Sequence, residues 1–114
     1  MNKALIVLIA MLNVASASAL ASPRAEQGWQ WIEKGALVVD VRTPQEFQAG
    51  HLDDAINYPL SDLAQHFANI DKQQAIVVYC RSGARSGRAY DYLISQGFTQ
   101  VHNAGGFEEM QQSR

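Results

Sequence analysis

The 114-residue sequence predicts an α/β fold: a small, doubly wound domain with a mostly parallel central sheet and helices on both faces. Three observations predict it. Beyond the first 21 residues, helical and strand signals alternate to the C-terminus with no internal repeat, low-complexity segment or linker. One run, Ala75-Ile76-Val77-Val78-Tyr79, is apolar and β-branched, the pattern of a strand buried on both faces of a parallel sheet. That run passes directly into a stretch with helical spacing, in which Ala89, Tyr92, Leu93 and Gln96 fall at i, i+3, i+4 and i+7 and Gly97 supplies a stop.

The other elements follow in order. Ala25, Gly28, Trp29 and Ile32 share one helical face, with Gly35 as the C-terminal stop. Ala36 to Val41 reads as the first strand. Thr43-Pro44-Gln45-Glu46 has the form of a capping box with proline at the first helical position, so a short helix runs to Gly50. Ala55-Ile56-Asn57 is a short strand ended by Pro59. Ser61 is placed to cap a helix that turns Leu63 and Phe67 inward and ends near Asn69. After the strand and helix around residue 80, Thr99 to His102 forms the last strand, and Gly105-Gly106 is read as a turn before a short terminal helix.

The N-terminus stands apart from this pattern. Met1-Asn2-Lys3 is a short positive head, and Ala4 to Leu12 is an apolar run too short to span a bilayer, which takes about 20 residues. Ala17-Ser18-Ala19 and Ala19-Leu20-Ala21 both fit small-residue cleavage sites. Residues 1–21 therefore read as a secretory signal peptide cleaved after Ala21 or Ala19, with an uncleaved anchor as the alternative. Export is expected, to the periplasm for a bacterial chain, with no stable membrane association after cleavage. No cysteine near the site suggests a lipoprotein.

Residues 22–114 then form one small domain with a single modest core. Loss of Lys3 leaves 8 basic against 11 acidic residues, a net charge of −3. Mild acidity argues against nucleic acid as a partner. Against that background Arg81, Arg85 and Arg88 crowd into eight positions beside Cys80, the only cysteine, so a small anionic substrate is expected there. A lone cysteine excludes an intrachain disulfide, and an unpaired thiol in an oxidising compartment is open to oxidation, so reactivity is the reason to keep it.

Cys80-Arg81-Ser82-Gly83-Ala84-Arg85-Ser86 is the centre of the chemistry. It joins a strand end to a helix start, where unpaired backbone N–H groups and the positive end of the helix dipole point into the turn. Such a position, with neighbouring cations, lowers a thiol's pKa and favours a nucleophilic thiolate. Gly83 lets the backbone curl, and Ser82 and Ser86 offer hydroxyl donors.

Asp40-Val41-Arg42, Glu46-Phe47, Gly50-His51-Leu52, Ala55-Ile56-Asn57-Tyr58-Pro59, the Cys80–Ser86 loop and Asn103-Ala104-Gly105-Gly106 together resemble a single-domain rhodanese. The likeness spans nearly all of residues 22–114, in order and with ordinary spacing. It implies a rhodanese-like fold and thiosulfate sulfurtransferase activity, with Cys80 as the nucleophile that holds a persulfide. It implies that the backbone from Arg81 through Ser82, Gly83, Ala84 and Arg85 to Ser86 cradles that persulfide, and that Arg81 favours doubly charged thiosulfate. A thiol or cyanide is the implied acceptor, and no cofactor is implied. A ring of N–H donors with fixed cations stabilises anionic sulfur without a general base.

Supporting roles fall to Asp40, Arg42, Glu46 and His51. Arg85 is read either as a substrate contact or as a loop-shaping residue paired with Asp40 or Glu46. Arg42 and Glu46, four apart across a helix start, can pair with each other. His51 in its Gly-His-Leu turn reads as a hydrogen-bonded structural histidine. His66 and His102 lack ligand partners at metal-site spacing, so no metal is expected. Trp29, Trp31, Tyr90 and Tyr92 read as core and surface aromatics. Two rival functions use the same parts. A cysteine phosphatase or arsenate reductase resembles a loop with five residues between cysteine and arginine, whereas this chain has four, a smaller ring suited to a sulfur atom. A persulfide carrier or regulatory binding module is the other, separable by whether small thiols support turnover.

Overall fold

The computed structural model describes residues 20–114. The expected signal peptide, residues 1–21, lies almost wholly outside the described residues.

Helix α1 (Pro23–Glu33) begins where Ser22 caps it: the Ser22 hydroxyl accepts the Ala25 N–H at 3.2 Å, and Pro23 occupies the first helical turn, where it forfeits no hydrogen bond. Strand β1 (Leu37–Asp40) leads to α2 (Pro44–Ala49), which carries the full capping box between Thr43 and Glu46. Strand β2 (Ile56–Asn57) is followed by a 3₁₀ turn (Leu60–Asp62) and α3 (Leu63–Phe67). Then come β3 (Ile76–Cys80), α4 (Ala84–Ser95), β4 (Val101–Gly106) and α5 (Phe107–Gln112).

All four strands are parallel, in the order β2-β1-β3-β4. Chain order runs outward from β1 to β2 on one side and from β3 to β4 on the other. The carboxyl ends of β1 and β3 therefore flank the point where strand order reverses, the usual position of a site in an open α/β sheet. Side-chain alternation along β3 builds both halves of the core. Val78 and Cys80 pack on one face with Leu63 and Phe67 of α3 and Ala89 and Leu93 of α4. Val77 and Tyr79 pack on the other with Ala25 of α1, Ala104 of β4 and Met110 of α5. Gly28 lets α1 approach closely, because a Cβ there would meet the Ala104 methyl at 2.7 Å.

Three local expectations are corrected. Ser61 caps nothing: it lies inside the 3₁₀ turn, and α3 starts after Asp62 without a side-chain cap and ends at Phe67, two residues short of Asn69. Its buried residues are Leu63 and Phe67, so their packing, not a cap, sustains this short element. The last strand begins at Val101 and continues through Gly105-Gly106, which is therefore not a turn. Gly105 adopts φ +98°, and Ala104 is the extra residue where the register steps from Val78↔Asn103 to Tyr79↔Gly105. That bulge lets Gly106 pair with Cys80. Finally, the buried face of α4 runs through Ser86, Ala89 and Leu93, while Gln96 is exposed beyond the helix end.

Candidate active site

Cys80 is the last residue of β3 and is 1% exposed. The chain turns at Arg81 and Ser82, both exposed, and enters α4 through Gly83 at φ +101°. This left-handed position curls the loop back over the sulfur. The Gly83 N–H donates to Cys80 Sγ at 3.0 Å and the Ser86 hydroxyl lies 3.4 Å from it. Burial pushes the Cys80 thiol up, but the Ser86 hydroxyl and the amides of Ser86, Ser82 and Gly83 outweigh it, leaving the pKa below the ordinary thiol value. Of the donors and cations the sequence placed around this thiol, the hydrogen bonds of the short loop are the ones that lower it.

The arginines near the loop are mostly paired. Arg85 holds Glu46 bidentately, Nη1 to Oε1 at 2.7 Å and Nη2 to Oε2 at 2.9 Å. Glu46 is pulled down to about 2, first by its bonds to Arg85, with burial opposing and the capping-box bonds to Thr43 adding to the fall. Arg42 does not pair with Glu46. It turns back on Asp40, Nη2 to Oδ2 at 2.7 Å, and donates to the Gly50 carbonyl at 2.6 Å. Arg42 folds back on the carboxylate two residues before it, while Glu46, fixed at the start of α2 by its capping box, is met by Arg85 of α4. Asp40 is fully buried, and its carboxylate also accepts the Arg42 N–H. The Arg42 guanidinium lies over the Phe107 ring at 4.8 Å, so the charge is covered as well as paired. Burial pushes the Tyr79 phenol up, and its oxygen accepts the Leu52 N–H at 3.1 Å, tying β3 to the loop after His51. His51 itself stacks on Phe47 at 3.7 Å and bonds the Phe47 carbonyl through Nδ1 at 2.8 Å. Arg81 and Arg88 are exposed and, among the described residues, form no salt bridge. Ala84 is the exposed first residue of α4.

Three residues that sequence reasoning gave no role converge on the loop. Asn103 accepts from the Ser86 hydroxyl at 2.7 Å and from the Gly105 N–H at 3.0 Å, and its amide donates to the Gly83 carbonyl at 3.2 Å. Arg24, from α1, donates to the Ser82 carbonyl at 3.1 Å while held by Glu109 of α5 at 2.8 Å. No local pattern could have flagged Arg24 and Glu109, since their contacts span 58 and 85 positions of chain. Asn103 stood in the quoted Asn-Ala-Gly-Gly string, but nothing in that string says which loop atoms it meets. His66 stacks on Tyr58 and His102 packs beside Trp31, while no cluster of three metal-ligating side chains occurs among the described residues.

This arrangement can stabilise an anionic sulfur. The donors meet at one atom, and among the described residues no carboxylate or histidine lies hydrogen-bonded to it as a base.

Comparison with known proteins gives one family. The sequence model described as Rhodanese-like domain matches residues 24–113. The chain is 39% identical over 74 residues to the thiosulfate sulfurtransferase PspE of Escherichia coli, covering 63% of this chain and 71% of that protein. It is also 39% identical over 84 residues to the thiosulfate sulfurtransferase GlpE of Pseudomonas savastanoi, covering 73% and 79%. Among solved structures, a rhodanese with anions from E. coli superimposes with a TM-score of 0.61 and 38% identity, over 66% of this chain and 91% of that one.

Proposed function

Because the chain belongs to the rhodanese-like family, we propose that it is a sulfurtransferase that moves the outer sulfur of thiosulfate to a thiophilic acceptor through a Cys80 persulfide. The observation that carries this reading is the hydrogen-bonded sulfur itself: Gly83 N–H and Ser86 Oγ–H converge on Cys80 Sγ at the end of β3, with no carboxylate or histidine bonded to it among the described residues. Sulfur transfer needs no proton removed from a nucleophile that is already a thiolate. The Cys80 thiolate attacks the outer sulfur of thiosulfate, the new S–S bond forms, and sulfite leaves with the electron pair of the broken bond. The persulfide's terminal sulfur carries the negative charge, and the amide donors of the loop stabilise it. A second nucleophile, a thiolate or cyanide, then attacks that sulfur and releases the Cys80 thiolate. Exposed Arg81 supplies charge attraction for a dianionic donor at the loop's outer edge.

We further infer export through the signal peptide of residues 1–21, to the periplasm in a bacterial cell. Its positive head, apolar run and small-residue exit support this, and the folded domain begins at the capping Ser22. Among the described residues no helix is long and apolar enough to cross a membrane.

One experiment tests both readings: the intact mass of protein purified from a periplasmic extract, before and after thiosulfate and then cyanide. Loss of residues 1–21 or 1–19, a gain of about 32 Da for one sulfur on the single thiol, and its removal by cyanide are expected. Cys80→Ser, a one-atom change, is expected to fold and gain nothing. Retained sulfur loading in that variant would remove Cys80 as nucleophile, a full-length mass in the membrane fraction would overturn cleavage in favour of an anchor, and a full-length mass in the cytoplasmic fraction would overturn export.

A further inference from the structure

The peptide unit between Ser82 and Gly83 has a partner at each end. A trans peptide is planar, with its C=O and N–H pointing in opposite directions. Here the N–H belongs to Gly83 and donates to Cys80 Sγ at 3.0 Å, while the C=O belongs to Ser82 and accepts from Arg24 Nη2 at 3.1 Å. We propose that Arg24 is a positioning residue for Cys80, acting on the sulfur through this one peptide. The proposal rests on the reading of Cys80 as the nucleophile.

Its seat is built. Glu109 binds the guanidinium edge twice, Nε to Oε2 and Nη2 to Oε1, both at 2.8 Å, which fixes the plane of the group. The Arg24 main-chain carbonyl bonds His102 Nε2 at 2.7 Å, so the backbone that carries the side chain is anchored to β4. The guanidinium lies against the bare Cα atoms of Gly83 and Gly105. A Cβ on Gly83 would stand 2.7 Å from Nη2, and one on Gly105 would stand 2.6 Å from Nε. Both glycines have positive φ, +101° and +98°, so the two backbone irregularities of the site are also the two places that admit this side chain. The Ser22 hydroxyl adds a further bond to Glu109, so the start of α1, the first turn of α5 and the Cys80 loop meet at one ion pair.

The effect on sulfur follows from peptide chemistry. A cation bonded to the carbonyl oxygen stops the peptide from flipping and draws electron density toward that oxygen, which makes the N–H at the other end a stronger donor. When the sulfur is a thiolate or persulfide anion, opposite charges face the two ends of one aligned dipole. Arg24 does not reach the sulfur, and with 44% of its side chain exposed its direct field is screened, so the peptide is the main route of the coupling.

The test compares Arg24→Ala, Arg24→Lys and Glu109→Gln with the parent protein. The readouts are the pH profile of Cys80 alkylation by iodoacetamide, kcat and KM for thiosulfate, and the thermal melt. Arg24→Ala is expected to titrate at higher pH and to alkylate roughly three- to tenfold more slowly at neutral pH, the worth of about one charge-assisted hydrogen bond. Its kcat falls more than its KM rises. Arg24→Lys keeps the charge but cannot span two carboxylate oxygens and a carbonyl, so it recovers part of the loss. Glu109→Gln, which loosens the clamp and keeps the cation, shows a smaller loss of the same kind. An Arg24→Ala profile that superimposes on the parent's overturns the proposal, as does lost activity that tracks only a lowered melt. Should Arg24→Ala fail to fold, the same comparison on the Lys and Gln variants decides. Alkylation reports on the thiol alone: a shifted profile in a protein that never accepts sulfur from thiosulfate would sink the sulfurtransferase reading and leave this one standing.

Discussion

Replacing Ser86 by alanine removes one donor from the Cys80 sulfur and very little else. Ser86 is fully buried, its hydroxyl has a single proton, and that proton has acceptors at 2.7 Å (Asn103 Oδ1), 3.4 Å (Cys80 Sγ) and 3.5 Å (the Gly105 carbonyl). With a neutral thiol the shorter bond wins, and with an anionic sulfur the proton is drawn to the charge. A hydrogen bond to a charged group is worth about 1.5–3 kcal/mol, and the long, shared geometry places this one at the low end, about 1.5 kcal/mol or roughly a tenfold change in thiolate population. The structural cost is small. Asn103 Oδ1 keeps the Gly105 N–H at 3.0 Å, so no buried acceptor is orphaned, and one lost oxygen leaves a void costing about 1 kcal/mol or less. Iodoacetamide alkylation at neutral pH and the rate of sulfite release from thiosulfate should therefore both fall about tenfold, with urea unfolding nearly unchanged. Unaltered alkylation would show that the hydroxyl serves Asn103 and not the sulfur. A stability loss above about 2 kcal/mol would show that the Ser86–Asn103 bond is chiefly a fastening of α4 to β4.

Two nearby glycines should respond in opposite ways. Gly106→Ala places a methyl group against the Arg81 carbonyl, a backbone atom that cannot swing aside, so the loop must shift; a loss of about 2 kcal/mol or more by denaturant titration and of most sulfur transfer is expected. Gly87→Ala, inside α4, meets only the Asn103 amide at an ordinary 3.6 Å, so stability should hold or rise by up to about 1 kcal/mol with activity kept. Acid should loosen the site through Glu46 and Glu109. Both carboxylates are held at about 2, each first by its arginine, so their stabilisation is complete above the ordinary carboxylate range and is lost as pH falls from about 4.5 toward 2. A Glu46→Gln/Glu109→Gln variant, already without those charges, should show a flatter stability profile across that window by thermal melts. An equally steep profile would assign the acid sensitivity to other groups.

Much of this molecule was legible along the chain. The strand through Val77 and Val78, the capping box at Thr43 and Glu46, the stops at Gly35 and Gly97 and the junction at Cys80 all rest on neighbours within a few positions. Misreadings arose where local signals were weak or where the partner was distant. Ser61 has the chemistry of a cap, but Leu60 and Leu63 pack inward and draw it into a 3₁₀ turn. Gly105-Gly106 has the composition of a turn, yet β3 offers Tyr79 and Cys80 as ladder partners and the strand continues through a bulge.

The sequence by itself determined that a single thiol sits at a strand-to-helix junction among donors, because chain connectivity alone delivers the Gly83 amide and the Ser86 hydroxyl to the sulfur. Only the tertiary structure decided how the charges divide. Asp40, Arg42 and Glu46 are close enough in sequence to exchange partners, and the choice of Asp40 with Arg42, which leaves Glu46 to Arg85 39 positions on, like that of Glu109 with Arg24, depends on where whole elements land. The outer side of the loop belongs to the tertiary structure too. Arg24 and Asn103 hold the carbonyls of Ser82 and Gly83 from α1 and β4, and contacts between side chains that far apart leave no periodicity in a sequence to be read.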